Sequence, residues 1–434
     1  MVTTKMLSTV FVPATIILLI CYLSTWLGKR KHLKIPVLTP SWPLIGNAWQ
    51  IDVSNCHQVF VGIAKKLGPI FEIKLYGDKA VVLNDYETIR SALVSNGNQV
   101  AGRPQMYRTT QAQRNRNSIV WQTFNQKLIL LRKEVLKSLR MYGNGLDDLE
   151  EKCIPEIVCL LQEVESKNSK PFDPWPMLYD SICNVMLILL LGSRLDTDSE
   201  HFKTIKTIAG MFNETFGSGD GQRLDIIPWL KLFKTKDSNR LETALCMRDT
   251  FWKEQLIQNM VTDDSVVGQL YQLSKTDTGK KHDITEDTIK ECFTNLILAG
   301  TDTTATAITC LLLVFLHYPE VQDRMYKEIS AVLQTRDLPR LSDRSHTPYT
   351  EAVLLELLRY ISHVPLAVPH CTISDTNIAG FLVPKDTTIY INLWALHHDE
   401  TFWENPWKFS PDRFLDNVGK LVPPQHPSRK RYQL

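Results

Sequence analysis

The segment Ala299-Gly300-Thr301-Asp302-Thr303-Thr304 constrains the fold most, because it sets an acid and several hydroxyls inside a long apolar run with helical character. Phe293, Leu296, Ile297 and Leu298 precede it, and Ile308, Leu311, Leu312, Leu313, Val314, Phe315 and Leu316 follow. A carboxylate in such surroundings is costly unless something satisfies or uses it. Asp302 also argues against lipid around this helix, so a buried core helix is expected instead of a membrane span. Gly300 lowers helix propensity and lets a bulky group approach the backbone. An acid beside an alcohol, next to a missing side chain, suits proton delivery toward a flat ligand. The plainer reading is a core helix whose Thr hydroxyls bond back to carbonyls four residues earlier and whose Asp caps a kink.

The composition is that of a large globular protein: 434 residues, 44% hydrophobic and 22% charged, enough for a sizeable core. A net charge of +2 gives no field for a polyanion, so nucleic acid is not an expected partner. The nine cysteines are scattered without a C-x-x-C pair. They read as reduced, mostly buried thiols, and no residue is assigned to a metal.

At the N-terminus, the 23 residues from Met6 to Gly28 carry no charge. As a helix they would span about 34 Å, enough to cross a bilayer core. Lys29, Arg30, Lys31 and Lys34 follow at once, which places the body in the cytoplasm by the positive-inside rule. The Asn213-Glu214-Thr215 sequon should then stay unglycosylated. Pro36, Pro40, Pro43 and Gly46 make a stiff link. The expected organisation is an anchor over 1–28, a basic, Pro-rich hinge over 29–46, and one body over 47–434.

Within the body, Ile70–Leu75 and Ala80–Leu83 read as a hairpin. Helical spacing covers 128–141, 147–166, 176–192, 202–216 and 239–260, then a long helix from Asp283 to about Tyr318. Asp283 and Glu286 form a candidate capping box, and Pro319 opens the next helix. A further helix covers Thr350–Tyr360, followed by strands at Thr372-Ile373, Gly380–Val383 and Thr387–Leu393. The fold class is mostly α with a smaller β part drawn from both ends of the body.

Two more constellations matter. Glu356-Leu357-Leu358-Arg359 puts an acid and a guanidinium one turn apart on a helix face. Phe409-Ser410-Pro411-Asp412-Arg413-Phe414 supplies a second arginine able to join that pair in a buried cluster. With Ala299–Thr304, in this order behind an anchor and a Pro-rich hinge, these segments resemble the cytochrome P450 haem-thiolate monooxygenases of the endoplasmic reticulum membrane. The resemblance runs from Met6 to about Leu421.

The resemblance implies a cytochrome P450 fold, a haem b cofactor and hydroxylation of a lipophilic substrate. It gives Asp302 and Thr303 a proton-relay role, sets Ala299 and Gly300 against the haem, and makes Glu356, Arg359 and Arg413 a structural lock. Arg132, in a W-x-x-x-R-like helix motif whose Trp position is Leu128, would hold a propionate together with Arg103 and His370. Ser362 stands where the family usually has Pro. Ala101–Met106, Pro228–Lys231 and Ile391–His398 are similar to the steroid 17-hydroxylase/17,20-lyase branch, in which a helix-borne Asn meets the steroid's polar end; Asn213 falls at that place. Lys133, Lys137 and Arg140 form a basic stripe that reads as a solvated face or as a docking patch for cytochrome P450 reductase, with cytochrome b5 a further partner.

The family's Phe-x-x-Gly-x-x-x-Cys-x-Gly loop would follow Arg413, but the residues from Pro427 to Leu434 do not contain it, and no Cys follows Cys371. The expectation is that these 434 residues lack the axial thiolate, as an incomplete version of the enzyme would. The competing class is an anchored, non-catalytic helical protein that binds a lipophile or the reductase without fixing haem. A xenobiotic-metabolising monooxygenase is the alternative within the family.

Overall fold

The computed structural model describes residues 35–112, 118–140, 147–217, 219–256 and 261–432. The expected anchor, and the hinge up to Lys34, lie outside the described residues. In chain order the main elements are α1 (Cys56–Leu67), β1 (Ile70–Leu75), β2 (Asp78–Leu83), α2 (Tyr86–Arg90), α3 (Tyr107–Ala112), α4 (Gln126–Arg140), α5 (Asp147–Ser166), α6 (Trp175–Leu191), α7 (Glu200–Gly217) and α8 (Gly219–Ile226). There follow α9 (Lys236–Phe251), α10 (Val266–Lys275), α11 (Asp277–Lys281), α12 (Glu286–His317), α13 (Pro319–Leu333), α14 (Pro348–Ile361), β3 (His370–Cys371), β4 (Thr376–Ile378), β5 (Phe381–Val383), β6 (Thr388–Ile391), α15 (Leu393–His397) and α16 (Pro427–Tyr432).

The main sheet has the order β1-β2-β6-β3. β1 and β2 pair antiparallel as a hairpin, β6 adds parallel to β2 with Val81 opposite Ile389, and β3 closes the edge. Alternation sends Phe71, Ile73 and Val82 toward Phe60 of α1, and Ile70, Val81, Leu83 and Ile389 toward Ile89 of α2. Residues near 80 and 390 are thereby joined, as expected from strands drawn from both ends of the body. The strand expected at Thr372-Ile373 instead ends at Cys371. The Thr372 hydroxyl donates to the Pro384 carbonyl at 2.6 Å and accepts the Thr387 N–H at 2.9 Å, turning the chain away.

α12 is the central helix. Its start differs from the expected Asp283–Glu286 box: Thr285 and Thr288 cap each other's N–H groups, at 3.4 and 3.3 Å. Asp283 has φ +52°, outside the helix, and its carbonyl accepts Lys127 Nζ at 2.6 Å. At the far end Tyr318 caps the helix and Pro319, which has no N–H to donate, begins α13. By length and composition α12 could cross a membrane, but it buries Ile289, Cys292, Phe293, Ile297 and Ala305 in one core with Cys183, Leu187 and Leu190 of α6. Gly300 makes this approach possible, because a Cβ there would lie 2.5 Å from Met186 Sδ on α6. A buried ion pair, Glu291 Oε1 to Arg248 at 2.6 Å, ties α12 to α9.

Glu356 and Arg359, expected as a lock, are both fully buried in α14 and paired at 2.7 Å. Arg359 also donates to the carbonyls of His397 (2.7 Å) and Pro406 (2.9 Å). Arg413 reaches Glu356 at 3.3 Å and donates to the carbonyls of Glu404, Asn405 and Lys408. Breaking a buried pair leaves a charge uncompensated, so Glu356→Ala should destabilise the body by roughly 3–5 kcal/mol. Urea unfolding followed by circular dichroism would measure this, and Arg359→Lys, which cannot keep the forked geometry, should also lower the midpoint.

Candidate functional site

The site is built along one face of α12. Ala299 is exposed on this face, and one turn on the Thr303 hydroxyl donates to the Ala299 carbonyl at 2.6 Å. This is the back-bonded conformation of the plainer sequence reading, and it leaves the oxygen's lone pairs open. Asp302 is half-buried. Burial pushes its carboxyl above the usual carboxylate range, with His363 partly opposing the shift. Thr301 is turned the other way, buried beside Cys183. Gly300, expected to admit a bulky group, meets Met186 of α6, so its free side serves helix packing and Ala299 presents the open surface.

The facing wall is the segment from Ser362 to His370. Ser362 ends α14 in the left-handed region with φ +42°, and its hydroxyl lies 2.7 Å from His397 Nδ1. The chain then passes His363, which is half-buried and held below the usual imidazole range by burial, with Asp302 opposing. It ends at Pro369-His370, where the three expected cationic residues meet. Arg103 donates to the carbonyls of Val120 (3.0 Å) and Pro369 (3.3 Å). Arg132 donates to the Ile119 carbonyl at 3.2 Å, and His370 Nδ1 to the Val100 carbonyl at 2.8 Å.

Among the described residues no carboxylate pairs with this cluster. Burial and the Arg132 charge lower Arg103 to about 10. Burial, Arg103 and Arg132 lower His370 to about 4, so it is neutral near pH 7. With Nδ1–H on a carbonyl, the other ring nitrogen remains an acceptor.

The two ends of the site are connected. Ser118, beside the carbonyls held by Arg103 and Arg132, hydrogen-bonds Asn295 of α12, one turn before Ala299. The face from Asn295 to Asp302 is about 10 Å long. α7, which packs against α12, carries Asn213, half-buried and without a hydrogen bond among the described residues. Phe212 and Phe216 stack near it, and Phe216 stacks on Trp121. His363, Met186 and the Ser118–Asn295 link were not anticipated, since none belongs to a periodic or spaced pattern.

A sequence profile of the family described as Cytochrome P450 matches residues 36–432. The chain belongs to the cytochrome P450 family. It is 30% identical to a steroid 17-alpha-hydroxylase/17,20 lyase of Rana dybowskii, over 93% of this chain and 80% of that relative. A protein of the same name from Squalus acanthias is 27% identical over 94% and 82%. Cytochrome P450 1A2 of Mesocricetus auratus is 30% identical over 96% and 84%. Membership makes the protein an oxidoreductase, a monooxygenase of a family whose cofactor is haem iron.

The residues present fit the acidic edge of that cofactor. Three cationic or proton-accepting groups without a carboxylate suit two propionates, and the α12 face beside Ala299 is open. Burial raises the thiols of Cys183 and Cys292 to about 12 and that of Cys371 to about 11. Because a dianion would draw a proton onto His370, porphyrin binding should be linked to proton uptake above about pH 4. Metal-free protoporphyrin IX, followed by fluorescence, should therefore bind more weakly as pH rises upward from about 4. His370→Gln should flatten that slope, and Arg103→Ala should weaken binding by roughly 10- to 100-fold.

Proposed function

We propose that this protein is a membrane-associated haem monooxygenase that hydroxylates a lipophilic substrate, a steroid in the first instance, in the manner of a 17-alpha-hydroxylase. The observation that carries the reading is the pairing, on one continuous site, of a carboxylate-free cation cluster with an acid and hydroxyl on an open helix face. Haem, when bound, supplies dioxygen activation. Arg103, Arg132 and His370 would hold its propionates, and Ala299 gives it room.

Asp302 retains its proton to a higher pH than an exposed carboxylate, which suits a proton donor. Thr303 lies one residue away, with its lone pairs free, and a rotation about χ1 releases its hydrogen from the Ala299 carbonyl. His363 faces Asp302 and partly offsets the effect of burial on it. A steroid is favoured because Asn213 is an amide without a partner among the described residues, on the helix that carries Phe212 and Phe216, suited to one polar group at the end of a rigid hydrocarbon. The relatives include both steroid hydroxylases and cytochromes P450 1A, so a xenobiotic lipophile is the competing substrate class.

Apolar side chains support membrane contact. Leu44 and Leu232 are 86% and 82% exposed, with Trp42, Trp229 and Phe233 also exposed around them. Tyr76 joins the two groups through Trp229, with ring centres 5.1 Å apart. This patch lies next to the segment following the expected anchor, consistent with a body resting on the cytoplasmic side of the endoplasmic reticulum. Exposed Lys133 and Lys137 on α4 suit an acidic electron donor, a flavoprotein reductase or cytochrome b5.

In the haem-loaded protein with reductase, Thr303→Ala should leave reductant consumption near normal while product per electron pair falls about 10-fold, and Asp302→Asn should slow product formation by about 10². Unchanged coupling in Thr303→Ala would remove that residue from the relay. For the substrate, equilibrium binding of a keto steroid should weaken about 10-fold in Asn213→Leu, the cost of one lost hydrogen bond, while naphthalene binding stays unchanged. Equal effects on both ligands would point away from a steroid.

A further inference from the structure

α7, α9 and α12 do not close completely on one another. Between them lies a cavity of about 20 Å³, room for one molecule the size of water. Ile205, Ile208 and Ala209 of α7 form one side, and Phe293 and Ile297 of α12 the other. Phe251 and Trp252 close it at the end of α9. All of these side chains are buried.

The wall offers nothing to a water molecule. Arg248, Thr294 and Trp252 border the cavity, but each turns its polar groups to another partner. Arg248 gives its guanidinium to Glu291 (2.6 Å) and Asp249 (2.8 Å). Thr294 donates its hydroxyl to the Lys290 carbonyl at 2.9 Å, and Trp252 Nε1 donates to Glu286 at 3.2 Å. Only apolar atoms face the cavity. A trapped water needs several polar partners, so a space lined in this way stays dry and takes an apolar guest.

The cavity also adjoins the site. Thr294, Leu298 and Asp302 recur at steps of four, so they share one stripe of α12. Thr294 and Leu298 line the cavity, and Leu298 is the one lining residue that is not fully buried. Asp302 lies one turn further on, about 6 Å along the axis. Leu298 therefore stands between the cavity and the Asp302 carboxyl.

Dioxygen is the small apolar substrate of a monooxygenase, the class to which family membership assigns this chain. Two atoms with no dipole and no hydrogen-bonding group match both the size of the space and the character of its wall. We propose that this cavity holds dioxygen in reserve for the α12 site, with Leu298 as the shared wall. Holding the gas requires neither haem nor the Asp302–Thr303 relay, so the reserve and the relay can fail separately.

Dioxygen is paramagnetic and speeds the relaxation of protons that it approaches. In the full chain with isotope-labelled isoleucine methyls, dioxygen under pressure should raise the relaxation rates of Ile205, Ile208 and Ile297 about threefold more than those of Ile70 and Ile389, which are equally buried in the sheet core. Equal enhancement in the two sets would overturn the proposal. So would a nuclear Overhauser effect from water to the Ile297 methyl, which would show a wet cavity. Ala209→Leu, which fills the space, should bring the first set down to the level of the second; undiminished enhancement would place the gas elsewhere and reject the site. Should Ala209→Leu fail to fold, the smaller Ala209→Val should give a partial loss, and no loss would reject the site equally. In the haem-loaded protein with reductase, the filled variant should raise the KM for dioxygen about threefold; an unchanged KM would overturn the reserve.

Discussion

The buried Glu356–Arg359 pair governs the site although it touches none of it. Two opposite charges at zero exposure are stable only if each has further partners. Arg359 takes the carbonyls of His397 and Pro406, and Glu356 takes the Ser410 N–H at 2.9 Å and Arg413. The irregular chain from His397 to Phe414 is thus fixed to the end of α14. Three residues after Arg359, Ser362 turns the backbone and binds His397, and the wall from His363 to His370 departs from that point. The positions of His363 against Asp302 and of His370 against Arg103 both follow from it. A well-packed apolar cluster could match the pair in stability, but apolar contacts do not pin loop carbonyls at set points.

The motifs legible in the sequence were those whose partners lie within a helical turn or two. The acid and hydroxyls of α12, the E-x-x-R pair and the hairpin at 70–83 depend on local spacing, and the structure places them as read. The start of α12 was misread because Asp283-x-x-Glu286 and Thr285-x-x-Thr288 both offer capping patterns; Lys127, more than 150 residues away, takes the carbonyl of Asp283. α3 escaped notice because six residues carry no periodic signal and its position is set by the pairing of Arg108 with Asp225. The role of Gly300 was legible only as a need for space. Whether Met186 or a ligand fills that space depends on the packing of α6, which spacing along α12 does not encode.

The site also shows a division of charge that no single motif reveals. At one end Arg103 and Arg132 repel each other beside a neutral His370, and no carboxylate pairs with them among the described residues; burial lowers Arg103 and His370. At the other end Asp302 is raised by burial. Burial acts in opposite senses at the two ends: it lowers Arg103 and His370, an effect an anion would offset, and raises Asp302, which keeps its proton to a higher pH. Burial raises Glu291 of the same helix as well, to about 7, but there the charges of Arg248 and Lys290 oppose the shift. The two acids of α12 therefore differ in pairing: Glu291 meets Arg248 at 2.6 Å, whereas Asp302 forms no ion pair among the described residues.

Arg108 and Arg248 are both buried arginines bound to an acid and a carbonyl, yet they differ in what they join. Arg248 sits between α9 and α12, two long helices with many apolar contacts in the same core. Losing it would cost stability but leave both helices where packing holds them. Arg108 joins α3 to the ends of α7 and α8, where few buried apolar residues lie on the α3 side; of its six residues only Arg108 itself and Thr109 are buried. The same chemistry carries more of the placement of α3 than of α9 or α12, because an ion pair matters most where apolar packing is thin.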